Sequence, residues 1–337
     1  MRRLVVEGPG RLRLAETEEP TCGAGEALVR IRAVGICGSD LHIYHGRLPV
    51  FTYPGTPGHE MSGELVEVRA NRPDLVPGCK VAVNPTVGCG HCYPCRLGRP
   101  NCCVEVKCIG AHVDGGMCEY LAVPAAQVHR LPDDLDLQTA ACIEPLSIGL
   151  QGCRRGRVAQ GETVAIIGAG TIGLCALQMA KALGARVAIG DRIARRLELA
   201  RRFGADLVVN VAGDDFEQQV AAWSGDEGAN VVIEAVGLPE TICQSLELVS
   251  AAGRVVLLGV LDEEVPLPAF TFVKKEMDFL GSRMNANLFP QVIEMLRAGR
   301  VDPRPLITHT FPLTAAEAAF RLASARPDEA VKVLLLP

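Results

Sequence analysis

Residues 163–191 read TVAIIGAGTIGLCALQMAKALGARVAIGD. A strand-length apolar run is followed by Gly168, Gly170 and Gly173 in the spacing GxGxxG, then by a stretch of helical length, then by a second apolar run that ends in Asp191. In a strand-turn-helix frame the first glycine permits a tight turn, the second lets backbone approach a pyrophosphate, and the third lets helix and strand pack closely. The helix N-terminus then offers N–H groups and a positive dipole end to phosphate. Asp191, 18 residues beyond Gly173, suits the two hydroxyls of an adenosine ribose and repels a 2′-phosphate, which favours NAD over NADP. Arg192, Arg195 and Arg196 stand beside it and are able to accommodate that phosphate.

Downstream the same alternation continues through LVVN, DFEQQVAAWSG, NVVIEAVG, PETICQSLELVSAAG and RVVLLGV. This βα repetition predicts a doubly wound parallel sheet over residues 151–283. Before residue 150 the chain consists of short extended runs between Gly and Pro, such as Glu60 to Val68 and Lys80 to Asn84, which predict a β-rich domain. After Gly281 come a helix over Leu288 to Ala298, a Pro-rich connection, a helix over Ala315 to Ala325 and the terminal run VKVLLLP. A lone terminal strand needs a sheet to join, so residues 284–337 are expected to complete the first domain. The fold class is α/β, and 337 residues accommodate two such domains.

Composition narrows the function. A net charge of -5 with 22% charged residues describes an ordinary globular protein and argues against a nucleic-acid binder. Neither a secretory leader nor an apolar run of about 20 residues is visible, so no membrane partner is expected and the cytoplasm is the expected compartment. Fourteen cysteines would be reduced there, and read as metal ligands and small buried hydrophobes rather than disulfides.

Cys89, Cys92, Cys95 and Cys103 stand in CGHCYPCRLGRPNC, with His91 and Cys102 as spare donors. Four thiolates on a short polar loop suit a closed, tetrahedral structural zinc, because such a loop has no core in which to hide bare thiols. A second set is dispersed: Cys37 in GICGSDLH, His59 and Glu60 in PGHE, and Glu144 in IEPL. Singly these read as a buried thiol, a hydrogen-bonded histidine and an acidic helix start. Together they make an incomplete zinc shell with a position left for water or substrate. Cys22, Cys79, Cys108, Cys118, Cys142, Cys153, Cys175 and Cys243 are assigned to packing. His45 and His129 are assigned to the surface, His309 to a strand end, and His112 to the cleft or a loop.

Taken in order, GICGSDLH, PGHE, the four-cysteine lobe, EPLS, GAGTIG and Asp191 resemble the zinc-dependent medium-chain dehydrogenases of the alcohol dehydrogenase superfamily over the whole chain. EPLS resembles the polyol (sorbitol) dehydrogenase branch; NCC, DGG, KKE, GSRMNA and LITHTFPL are similar to bacterial dehydrogenases of L-galactonate or L-gulonate. The resemblance implies a GroES-like domain carrying two zincs, a Rossmann domain carrying NAD, and an active site in the cleft between them. Cys37, His59 and either Glu60 or Glu144 would hold the catalytic zinc, with Asp40 supporting the histidine and Ser39 and His42 passing the proton to solvent. Cofactor contacts fall at Gly168, Gly170, Thr171, Ile172, Gly173, Asp191, Arg192, Arg196, Gly237, Leu258, Gly259 and Ser282, and substrate contacts at Arg283 and Asn285.

The implied reaction takes a hydride from a secondary hydroxyl of a sugar acid to NAD, giving a keto acid. A polyol is the alternative substrate, although the sorbitol-type arginine falls one position after Arg283, where Met284 stands here. Gly38 replaces the pyrophosphate-binding arginine of some alcohol dehydrogenases. Rival classes are a zinc protein that binds NAD without catalysis, and a zinc-free quinone reductase, which has no use for either cysteine set. The resemblance also implies a homodimer or homotetramer, with RVVLLGVLDEEVPLP as the contact segment.

Overall fold

In the computed structural model, which describes every residue except Leu261, the run TVAII forms the strand Thr163–Ile167 inside a parallel sheet. Arg186–Asp191 and then Leu207–Asn210 flank it on one side; Ala229–Glu234, Val249–Leu257 and Asp278–Gly281 follow on the other. In chain order this is 3-2-1-4-5-6 among the described residues. The order reverses between Thr163–Ile167 and Ala229–Glu234, and ligands of open α/β sheets bind outside the carboxyl ends of strands at such a reversal. Val164, Ala165 and Ile166 are all buried, as expected of a strand covered on both faces.

The chain divides into two units. The first is Met1–Glu144, Asn285–Ala298 and Pro303–Pro337, and the second is Pro145–Met284 with Gly299–Asp302. The division after Glu144 falls within the helix Ile143–Arg155, so the boundary placed at 150 by sequence moves six residues earlier. A boundary inside one helix leaves no mark in hydrophobic periodicity.

Glu26–Ile36 is the hub of the first unit's sheet. It pairs antiparallel with Glu60–Val68, with Tyr120–Pro124 and with the terminal strand Lys332–Leu336. Lys80–Val83 and Val128–Arg130 extend one side, and Ile307–Pro312 runs parallel to the terminal strand on the other. Val29, Ile31, Val34, Leu65, Val81, Phe320 and Leu335 fill an aliphatic core with little aromatic content.

Three sequence expectations are corrected. Val249–Leu257 lies inside its sheet and Asp278–Gly281 forms the edge, so RVVLLGV is not an edge strand; Leu261 of that segment lies outside the described residues. His129 is half-buried, with its ring 5.4 Å from that of Phe289. His309 sits within Ile307–Pro312 and stacks on Phe311.

Candidate active site and metal centres

Each glycine of the turn has its own steric reason. Gly168 has φ +95°, and a Cβ there would lie 2.6 Å from Val236. A Cβ on Gly173 would run into the Gly168 carbonyl oxygen. Gly170 caps the helix Thr171–Ala182, yet a Cβ on it would meet no atom within 4 Å. The protein's own packing therefore demands Gly168 and Gly173 but not Gly170, which leaves approach of a ligand as the reason for the second glycine. Thr171 and Ile172 open the helix.

Asp191 is buried beside this turn. Its Oδ2 accepts the Ala169 N–H at 2.7 Å and its Oδ1 the Ile193 N–H at 2.8 Å, with the Arg196 guanidinium 3.8 Å from Oδ2. Arg192 is exposed. Gly237, Leu258 and Gly259 are gathered at the same end of the sheet by Glu234, a wholly buried residue that sequence reading passed over. Glu234 Oε1 accepts the N–H groups of Val236 and Gly237 and the Thr241 hydroxyl, each at 2.8 Å, while its carbonyl accepts Leu258 N–H at 2.8 Å and Gly259 N–H at 3.1 Å. Ser282 N–H donates to Leu257 O at 2.9 Å, which sets the exposed Arg283 just past the carboxyl end of Asp278–Gly281. Asn285 is different: it is fully buried, donates to Asn84 Oδ1 and accepts from Leu288 N–H, both at 3.3 Å. Its amide serves the fold at these two bonds.

In the lobe after residue 88, one sulfur each from Cys89, Cys92, Cys95 and Cys103 lie within 4.8 Å of one another. Backbone N–H groups aim at these sulfurs: Cys89 N–H at Cys103 Sγ (3.2 Å), Glu105 N–H at Cys103 Sγ (3.3 Å) and Cys92 N–H at Cys89 Sγ (3.4 Å). Cys92 is lowered to about 6, chiefly by the backbone N–H groups of Val104 and Cys95, while desolvation pushes Cys95 up to about 12. Four convergent sulfurs with N–H donors behind them match the needs of a closed thiolate site. Cys102 stays outside the group, and the exposed His91 joins Cys89 and Glu105 in a separate cluster.

The dispersed residues also come together, through strand register. Glu60 lies opposite Gly35, which brings His59 and Glu60 beside Cys37 at the end of the hub strand. Donor atoms of Cys37, His59 and Glu60 lie within 4.8 Å of one another. Cys37 caps the helix Gly38–Tyr44, and Asp40 in the first turn accepts the Cys37 N–H at 2.7 Å. The same carboxylate accepts Gly58 N–H at 3.2 Å and stands 3.7 Å from His59 Nδ1. Asp40 thus orients a thiol and an imidazole at once. Ser39 Oγ is 3.5 Å from His59 Nε2, and His42 is exposed on the next turn of the helix.

Burial raises Asp40 despite the opposing pull of His59. For His59, burial works against the charge, but Asp40 and Cys37 outweigh it and hold the imidazole well above its ordinary value. Glu144 is pushed up to about 7 by burial, with His59 opposing and Glu60 adding to the rise. Three buried carboxylates and a thiol thus stand against the buried Lys332 ammonium and the His59 imidazole. Such a deficit of positive charge, with one sulfur, one nitrogen and one oxygen donor converging, suits a dication with an open position.

Two residues here escaped sequence reading. Lys332 donates to Glu60 Oε1 at 2.7 Å and Oε2 at 2.6 Å. Cys108, assigned to packing, is pushed up to about 11 by burial and interacts with His59, Glu144, Asp40 and Cys37. Its N–H donates to His112 Nδ1 at 3.2 Å.

Residues 23–133 match the alcohol dehydrogenase GroES-like domain, and residues 171–298 match the zinc-binding dehydrogenase family. The L-galactonate-5-dehydrogenase of Escherichia coli K12 is 40% identical over 94% of this chain and 94% of its own length. Human sorbitol dehydrogenase is 37% identical over 94% of this chain and 91% of its own. Among solved structures, the short chain alcohol dehydrogenase rspB of E. coli CFT073, complexed with cofactor NADH, superposes with a TM-score of 0.94 at 37% identity, covering 100% of this chain and 99% of that one. Both halves match and the relatives run nearly end to end, so the chain belongs to the zinc-dependent medium-chain dehydrogenases, in their polyol dehydrogenase-like family.

Proposed function

We propose that this oxidoreductase, a zinc polyol or sugar-acid dehydrogenase by family, oxidises a secondary hydroxyl of an aldonate to a ketone with NAD as acceptor. Arg283 is the observation that carries the choice of substrate. It is exposed directly after the edge strand of the parallel sheet, at the end that holds the glycine turn, and a guanidinium grips a carboxylate bidentately. The 40% identical relative named for L-galactonate supports the same substrate class. The name sorbitol dehydrogenase among relatives of similar identity favours the second reading, a neutral polyol.

Bound zinc would polarise the reacting hydroxyl, and bound nicotinamide would accept the hydride. The protein's residues do the rest. Cys37, His59 and Glu60 would hold the metal, Asp40 fixes the first two, and the Ser39 hydroxyl would accept the substrate's proton while passing its own toward exposed His42. Asp191 favours an unphosphorylated ribose, and the NADH held by the 37% identical rspB enzyme is consistent with that. We also propose self-association through the helix Ala269–Lys275, where Phe270 and Val273 are exposed beside the edge strand Asp278–Gly281.

Arg283→Ala tests the substrate. Loss of one charge-assisted hydrogen bond costs about 1.5–3 kcal/mol, so kcat/KM for aldonates should fall about tenfold to hundredfold. Neutral polyols of matching stereochemistry should be turned over almost as before. Equal losses on both substrate types return the enzyme to the polyol reading.

A further inference from the structure

Glu60 faces Gly35 across one side of the hub strand, and Leu334 faces the same Gly35 across the other. Directly opposed residues share a face and side chains alternate along each strand, so Lys332, two residues before Leu334, comes to the face that carries Glu60. Gly35 places no side chain between them. A Cβ there would collide with Glu60 Oε2. The Glu60 carboxylate therefore lies over bare backbone and reaches an ammonium from a strand 272 residues away in sequence, which donates to both of its oxygens and, at 3.2 Å, to Ile36 O. Glu60 is 1% exposed and Lys332 2%.

We propose that Lys332 is a positioning residue: across bare Gly35 it holds Glu60 toward Cys37 and His59, and so keeps the metal site assembled when no metal is bound. The proposal rests on the reading of those three residues as zinc ligands. Without Lys332 the buried carboxylate would lose the ammonium that donates to both of its oxygens and keep only the His59 imidazole near it until zinc arrived, and breaking a buried ion pair by removing one partner is strongly destabilising. With zinc in place a second cation stands beside Glu60, so the ammonium matters most in the metal-free protein.

The test is thermal unfolding of wild type, Lys332→Met and Glu60→Gln, each after mild chelation has removed the zinc of the open site alone and again after that zinc is restored. With the open site empty, Lys332→Met should unfold about 10 °C lower than wild type in the same state, and zinc should recover most of that deficit. Glu60→Gln strands the ammonium instead, so its deficit should persist with zinc. The four-cysteine lobe keeps its zinc in both states and so drops out of the comparison. Recovery of Lys332→Met folding only in zinc supports the proposal; a deficit equal with and without zinc, no deficit, or failure to fold in both conditions overturns it. A wild type whose Tm does not respond to zinc would instead contradict the metal reading itself.

Discussion

Buried Asp40 and half-buried His129 show opposite uses of an ionisable side chain. Asp40 accepts the Cys37 and Gly58 N–H groups and faces the His59 ring, contacts that orient two of the proposed metal donors. His129 packs its ring against Phe289, and burial, aided by the Arg72 charge, lowers it to about 4. An imidazole lowered on folding takes up its proton first in the unfolded chain. Its stabilisation is therefore whole above about pH 6.5 and is lost as the pH falls toward about 4. We expect this one group to remove at most about 3 kcal/mol over that window. In urea titrations His129→Gln should flatten the acid limb relative to wild type, and an unchanged pH slope would contradict the assignment. Asp40 was expected from the family resemblance of GICGSDLH, whose residues are contiguous. The burial of His129 was hidden because Phe289 lies 160 residues further along.

The elements divide the metals between a closed lobe and an open strand-end site. The lobe's four sulfurs and their N–H donors are supplied by one loop, Cys89 to Glu105, whereas the second site draws on a helix cap and a neighbouring strand start. A chelator titration followed by metal analysis should therefore remove one zinc per chain early, with activity, and the second late, with loss of the fold. Simultaneous loss of both metals, activity and structure would contradict the division. Legibility follows the same line. The glycine turn and the four-cysteine lobe were readable because their parts lie within a few turns of chain. The joining of Cys37 to His59 and Glu60 depends on the Glu60–Gly35 register, and the approach of Lys332 depends on which strand the C-terminal run joins, so neither has a spacing to read. The bond from Asn285 to Asn84 spans 201 residues and has no spacing to read either.

For the whole molecule, exposed Phe270 and Val273 next to the unpaired edge Asp278–Gly281 should be covered by a second copy of the chain. Sedimentation at micromolar concentration should show a dimer or larger, and Phe270→Glu should shift it toward monomer; a wild-type monomer would remove the proposal. Catalysis gives the sharpest check. Initial rates of nicotinamide reduction should be recorded for the zinc-loaded enzyme on a panel of aldonates and polyols, with NAD and with NADP. We expect NAD to be reduced fastest with an aldonate, and the rate to vanish when the open site loses its metal. Reduction faster with NADP would contradict the role given to Asp191, rates confined to polyols would contradict the role given to Arg283, and no reduction with any of them would contradict the dehydrogenase reading as a whole.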